Sequence, residues 1–161
     1  MSDSQPTETA PTDITLTKIE SLEELPPWLT KQDLIEAFHH KMKPFNDTLE
    51  DVERALDYGL NIDKSKYGGL MVIATSHERL LGGVLMLKTG MSGYIPPWIL
   101  LMVFVDPSLR GQGIGRKLID YTRQFCDGDI KLHVEHDNPA RHLYERVGFK
   151  SKYLEMRLKN P

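Results

Sequence analysis

Val103-Phe-Val-Asp-Pro-Ser-Leu-Arg-Gly-Gln-Gly-Ile-Gly-Arg-Lys117 runs an apolar strand into a turn, through three alternating glycines, and into the start of an amphipathic helix. Gly111, Gly113 and Gly115 have no Cβ, so the backbone there can take positive φ and approach a ligand closely. The free amides at a helix N-terminus, with the positive end of its dipole, favour an anion. Arg110, Arg116 and Lys117 add full positive charges around that point. The stretch predicts a strand–loop–helix unit that binds a pyrophosphate-containing ligand.

Three phosphate-binding signatures meet at this loop. A P-loop needs Ser or Thr after its lysine, and Lys117 is followed by Leu118. A dinucleotide fingerprint needs G-x-G-x-x-G and an acidic residue at the end of the next strand. Here the spacing is G-x-G-x-G and the next strand runs out among His133, Glu135 and Asp137. That partial match keeps a nucleotide-binding regulatory domain as an alternative. The third is a resemblance. Arg110-Gly-Gln-Gly-Ile-Gly115 resembles the acyl-CoA pyrophosphate signature, Q/R-x-x-G-x-G/A, of the GNAT superfamily of N-acyltransferases. Val105-Asp106-Pro107 before it and Leu143-Tyr-Glu-Arg-Val-Gly-Phe149 after it resemble that family in order and separation. The specific likeness spans Trp98 to Phe149; upstream it is carried by the order of elements alone.

Composition fits one domain. A length of 161 residues suits a single core of ordinary size. A net charge of −3 without a dense basic run argues against nucleic acid as the main partner. The N-terminal MSDSQPTETAPTD has no basic n-region and no apolar h-region. It reads as a disordered tail over 1–12, ahead of one domain over 13–161, and not as a secretory signal. The longest apolar run, Trp98 to Val105, is too short to span a bilayer. The single Cys126 excludes an internal disulfide and a thiolate metal cluster, suits a reducing cytoplasmic compartment, and reads as a buried structural thiol.

Periodicity supplies the remaining elements. Ile14–Ile19 alternates and reads as a strand. Thr30 and Asp33 form a capping pattern with Leu29 and Leu34 as its staple, opening a helix that ends before Pro44. Thr48 and Asp51 repeat the pattern for a second helix, with Leu49, Val52, Leu56 and Leu60 as its stripe and Gly59 at its end. Leu70–Thr75 and Leu80–Leu87 predict a hairpin. Trp98–Val105 is apolar nearly throughout, which predicts a strand buried on both faces. The glycine-loop helix follows, with Gly128 closing it; then come a strand over Ile130–Val134 and a helix from Asn138-Pro139 to Gly148. A last strand is expected over Lys150–Leu158, with Leu154, Met156 and Leu158 alternating inward. This order matches the GNAT arrangement.

The resemblance implies an α/β GNAT fold, a mixed central sheet flanked by helices. In it Trp98–Val105 splays from the next strand to admit the pantetheine arm of acetyl-CoA. The backbone of Val103 and Val105 is then expected to bond that arm like an added strand, and Arg110, Gly111, Gln112, Gly113, Ile114, Gly115 and Arg116 to hold the pyrophosphate. Tyr144 matches the family's tyrosine near the thioester sulfur, where a phenol of pKa about 10 can protonate the departing thiolate. A core aromatic beside Leu143 and Val147 is its other reading.

Two departures from the family pattern follow. The glutamate that many members carry on the splayed strand falls here on Ile99, and Trp98–Val105 has no ionisable residue. Either Glu135 or His133 serves as base, or the amine loses its proton to water. The family's asparagine falls at Asp137, so Asn138 reads first as a helix cap and second as a cofactor contact. His136 and His142 read as surface residues. Adjacent residues of the His133–Asp137 cluster face opposite sides of a strand, so no metal is assigned.

The acceptor side is expected between the first two helices and the loop Gly90–Trp98, with Tyr94 and Trp98 as candidate lining. Asp47, Glu50, Asp51, Glu53 and Asp57 would steer a cationic amine or simply form a solvated face. The resulting expectation is an acetyl-CoA-dependent N-acetyltransferase. It would act on a small-molecule or peptide primary amine by direct attack in a ternary complex, since no nucleophile motif supports an acyl-enzyme. A non-catalytic acyl-CoA-binding or sensing module is the alternative. No membrane partner is expected, and a homodimer stays open.

Overall fold

The computed structural model describes residues 8–161. Its strands are β1 (Thr15–Ile19), β2 (Gly69–Ser76), β3 (Arg79–Lys88), β4 (Trp98–Val105) and β5 (Ile130–Lys131). Its α-helices are α1 (Lys31–Lys41), α2 (Leu49–Gly59), α3 (Ile114–Thr122) and α4 (Ala140–Val147). The sheet runs in chain order from β1 to β5, antiparallel throughout except for the parallel pair β4–β5. The expected mixed sheet flanked by helices is present.

Both faces of the sheet are covered, which explains why β2 and β3 read as almost continuous apolar runs. Met71 and Ile73 of β2 pack with Leu34, Phe38, Val52 and Leu56 of α1 and α2. Leu70, Val72 and Ala74 point the other way, onto Ile114, Leu118 and Ile119 of α3. Phe38 meets Phe104 edge-on at 4.8 Å, tying α1 to the end of β4.

Helix starts follow the predicted capping chemistry. The Asp33 amide donates to Thr30 Oγ1 at 3.1 Å and the Thr30 amide donates to Asp33 Oδ2 at 2.9 Å, a reciprocal box, with Leu29 and Leu34 both buried beside it. The Asp51 amide donates to Thr48 Oγ1 at the start of α2. Gly59 ends α2 by packing. A Cβ there would stand 2.5 Å from Leu85 Cδ1, and the positive φ just past the helix belongs to Asn61.

Two expectations about strands are corrected. β5 pairs only at Trp98↔Ile130 and Ile99↔Lys131, so the strand expected over Ile130–Val134 leaves the sheet after Lys131. No strand forms over Lys150–Leu158, where Leu154 and Leu158 are each 90% exposed. A two-residue β5 offers no ladder long enough for a following strand to add to. Period-2 alternation therefore finds no face to bury. Residues 1–7 of the expected tail lie outside the described residues; Glu8 and Ala10 are hydrogen-bonded to the glycine loop.

Candidate acyl-CoA site

The glycine loop forms as a hinge between β4 and α3. Gly111 and Gly113 take φ of 79° and 85°, and Gly113 caps α3 in the left-handed region. A Cβ built at either would meet nothing within 4 Å, so open space lies above the loop. The first amides of α3 have no intrahelical acceptor and carry the positive end of the helix dipole. That cradle, with Arg116 and Lys117 exposed beside it, has the donors and the room that a pyrophosphate needs. Gly115 differs from its neighbours. It is buried, and a Cβ there would come within 2.9 Å of Leu143 Cδ2, so it lets α3 approach α4.

β4 supplies an unpaired edge beside this cradle. Past Ile99↔Lys131 the strand continues from Leu100 to Val105, and no strand of the described residues lies along its outer side. Val103 and Val105 are half-buried there. A bulge sits in the same stretch: Leu85 pairs with Met102 and Met86 with Leu100, leaving Leu101 unpaired and exposed. The extra residue reverses the faces of β4. Trp98 and Leu100 belong to the core under α3 and α4, whereas Met102 and Phe104 belong to the core under α1 and α2. Uninterrupted alternation would have put all four on one face. No turn residue or glycine marks Leu101 in sequence.

Ion pairs brace the loop from behind. Asp106 accepts from the Ser108 amide (3.0 Å), from Ser108 Oγ (2.7 Å) and from Lys41 Nζ (3.0 Å), with Arg79 at 3.7 Å. Burial by itself would raise its pKa; the bonds from Ser108 and Lys41 outweigh that and hold the carboxyl at about 2. Arg110 Nη2 donates to the Lys41 carbonyl at 2.6 Å, joining the loop to the end of α1. Nothing around Lys41 in the chain signals a partner 65 residues away.

Tyr144 of α4 is 9% exposed, belongs to the core cluster of Trp98, Leu100 and Ile114, and lies edge-on to Phe149 at 5.9 Å. Burial, aided by the charge of Glu135, pushes its phenol up to about 12. Asn138 caps α4 as expected: Oδ1 accepts from the Ala140 amide at 2.9 Å, and Nδ2 reaches Glu135 Oε2 at 3.3 Å. Glu135, His133, His136 and His142 are exposed. Among the described residues no cluster of His, Cys, Asp and Glu is placed to hold a metal.

A family model described as an acetyltransferase (GNAT) domain matches residues 67–151, just over half of the chain. The chain belongs to the GNAT acetyltransferase family. A peptidyl-lysine N-acetyltransferase, YjaB of Salmonella typhimurium, is 26% identical over 119 residues, 74% of this chain and 76% of that protein. A human cysteine-rich protein 2-binding protein is 43% identical over 51 residues, 31% of this chain, and the match spans only 6% of that longer protein. Among solved structures, a GNAT-family acetyltransferase from Streptococcus pneumoniae superimposes with a TM-score of 0.63 at 20% identity, covering 92% of this chain and 98% of the other. The aminoglycoside N-acetyltransferase AAC(6′)-Iy, solved with CoA, gives 0.60 at 15% identity, covering 92% and 95%. These structural likenesses establish the fold.

Within this GNAT domain, the residues expected near the acceptor divide. Trp98 is buried and floors a cavity of about 290 Å³ with Tyr67, Lys88 and Pro97. That cavity sits at the start of β4, opposite the glycine loop. Tyr94 is 77% exposed and tilts against Tyr153 at 5.9 Å. The acidic run on α2 is largely paired: Glu50 and Asp51 with Arg54, and Glu53 and Asp57 with Lys31. Cys126 is half-buried, and burial pushes its thiol up to about 11, so the thiolate is scarce. No helix among the described residues is long and apolar enough to cross a membrane.

Proposed function

We propose that this chain transfers the acetyl group of acetyl-CoA to a primary amine, by direct attack in a ternary complex. The observation that carries the reading is the open outer edge of β4 beside an unfilled, amide-lined glycine loop. Acetyl-CoA supplies an activated acetyl group as its thioester. The chain supplies the rest. The backbone of Val103 and Val105 bonds the pantetheine arm; the amides of Gly111 to Arg116 receive the pyrophosphate, with Ile114 and Gly115 packed beneath and Arg110 bracing the loop. Asn138 fixes the first turn of α4 and so the height of Tyr144.

Tyr144 is the proton donor to the leaving sulfur. With its pKa near 12 it stays protonated at any working pH. A thiolate of pKa about 8.5 cannot take that proton outright at equilibrium. The phenol therefore acts by hydrogen-bonding the sulfur as charge develops, with full transfer coupled to loss of a proton from the attacking nitrogen. In the balance the amine gains acetyl and loses one proton to a base or water, the sulfur gains one proton from Tyr144, and the phenolate is reprotonated by that base or by water. Glu135, held by Asn138 and electrically coupled to Tyr144, is the candidate to receive the amine's proton.

Likeness to a peptidyl-lysine N-acetyltransferase puts lysine-bearing peptides first among acceptors, with aminoglycosides beside them. The test measures free thiol released from acetyl-CoA across such a panel. Amine-dependent release with acetylated product supports the reading. Tight acetyl-CoA binding with no turnover on any amine would favour the sensing module, to which the absence of an ionisable group on β4 already points. If the ascending limb of kcat/KM follows each acceptor's own pKa, Glu135 is not the base; a fixed limb lost in Glu135→Gln assigns it.

A further inference from the structure

Glu8 and Ala10 precede β1 in sequence, yet they are bonded to the glycine loop over a hundred residues away. Gln112 lies between the two positive-φ glycines. Its Nε2 donates to the Glu8 carbonyl at 2.6 Å, and its Oε1 accepts from the Ala10 amide at 2.6 Å. The Glu8 amide donates to the Ser108 carbonyl at 2.8 Å. Arg79 grips the Glu8 carboxylate with two bonds, at 2.8 and 3.0 Å, and holds its pKa below the usual carboxylate range. The arm is thus stitched to the loop, to β3 and to the turn after β4.

A loop with Gly111 and Gly113 has more backbone freedom to lose than any loop of larger residues. Ordering it at the moment of binding would weaken affinity; ordering it beforehand removes that cost. Arg110 braces one side against Lys41. Gln112 braces the other against the arm, through one donor and the acceptor oxygen of its side-chain amide. The backbone amides of the loop stay free for a ligand.

We propose that the segment Glu8–Ala10 is a positioning element of the acyl-CoA site, acting through Gln112. The inference rests on the reading of the loop as the pyrophosphate cradle. Gln112 is a positioning residue: its side chain holds the loop's shape, and only its backbone faces the ligand chemistry.

Two variants of the full chain test this. Ala10→Pro removes one donor to Gln112, and Gln112→Ala removes both bonds. Each is expected to raise the Kd for CoA by roughly three- to tenfold in calorimetry, the worth of one or two net hydrogen bonds. The double variant is expected to be no worse than Gln112→Ala alone, since both break one connection. In ligand-free protein, deuterium exchange of the amides from Arg110 to Arg116 is expected to quicken in both. For Ala10→Pro the KM for acetyl-CoA rises while kcat and the acceptor KM hold, a split that general destabilisation does not produce. Unchanged Kd and unchanged exchange in folded Gln112→Ala would overturn the proposal. If the parent chain binds no CoA at all, the reading of the cradle fails. The exchange measurement then still decides whether the arm orders the loop.

Discussion

At the scale of single residues, Tyr144 and Asp106 carry opposite electrostatic assignments. Tyr144→Phe keeps the ring against Phe149 and removes only the hydroxyl. A general acid is worth about 10²–10⁴ in rate, so kcat is expected to fall within that range while CoA affinity holds. Unchanged kcat in a protein that melts lower would make Tyr144 structural. Asp106 has a folded pKa of about 2 against 3.8 for the free group. Its depressed pKa means the stabilisation is complete above about pH 4 and disappears as pH falls towards 2, a contribution of roughly 2 kcal/mol at neutral pH. Urea melts of the parent and Asp106→Asn are expected to differ at pH 7 and to converge near pH 2. A difference that persists at pH 2 would mean that packing, and not charge, holds the turn.

At the scale of elements, the glycine loop shows two uses of one residue type. Gly113 sits at φ 85° beneath open space, whereas Gly115 is wedged against Leu143. Gly113→Val is expected to cost about 1–2 kcal/mol of stability, because a β-branched residue is strained at a φ of 85°, and to weaken CoA binding by more than that. Gly115→Val is expected to cost about 1–3 kcal/mol of stability through overpacking between α3 and α4. Paired calorimetry and thermal melts separate them; the reverse ranking would contradict the cradle. What sequence made legible here was local chemistry: the Thr30 box, the Asn138 cap and the strand–glycine–helix hinge each depend on residues within a few positions. What stayed hidden depends on distant neighbours. Alternation over Lys150–Leu158 looks like a strand, but pairing requires an edge that the two-residue β5 does not provide. The bulge at Leu101 leaves no mark either, because apolar residues occupy both faces of β4 and a flip exchanges one apolar neighbour for another.

At the scale of the whole molecule, two cores on opposite faces of one sheet hold β4 firmly, while no strand among the described residues pairs with its outer edge past Ile99. A buried strand with a free edge is normally a liability. Here it lies next to the glycine loop, and the proposed acetyl-CoA site is built from the two together. The most direct test is thermal unfolding with acetyl-CoA, NAD and ATP in parallel. At a hundredfold excess over Kd, acetyl-CoA adds about 2.7 kcal/mol of stability, roughly 5–10 °C in Tm for a domain of this size. NAD and ATP are expected to move it far less. A shift with NAD and none with acetyl-CoA would contradict the account.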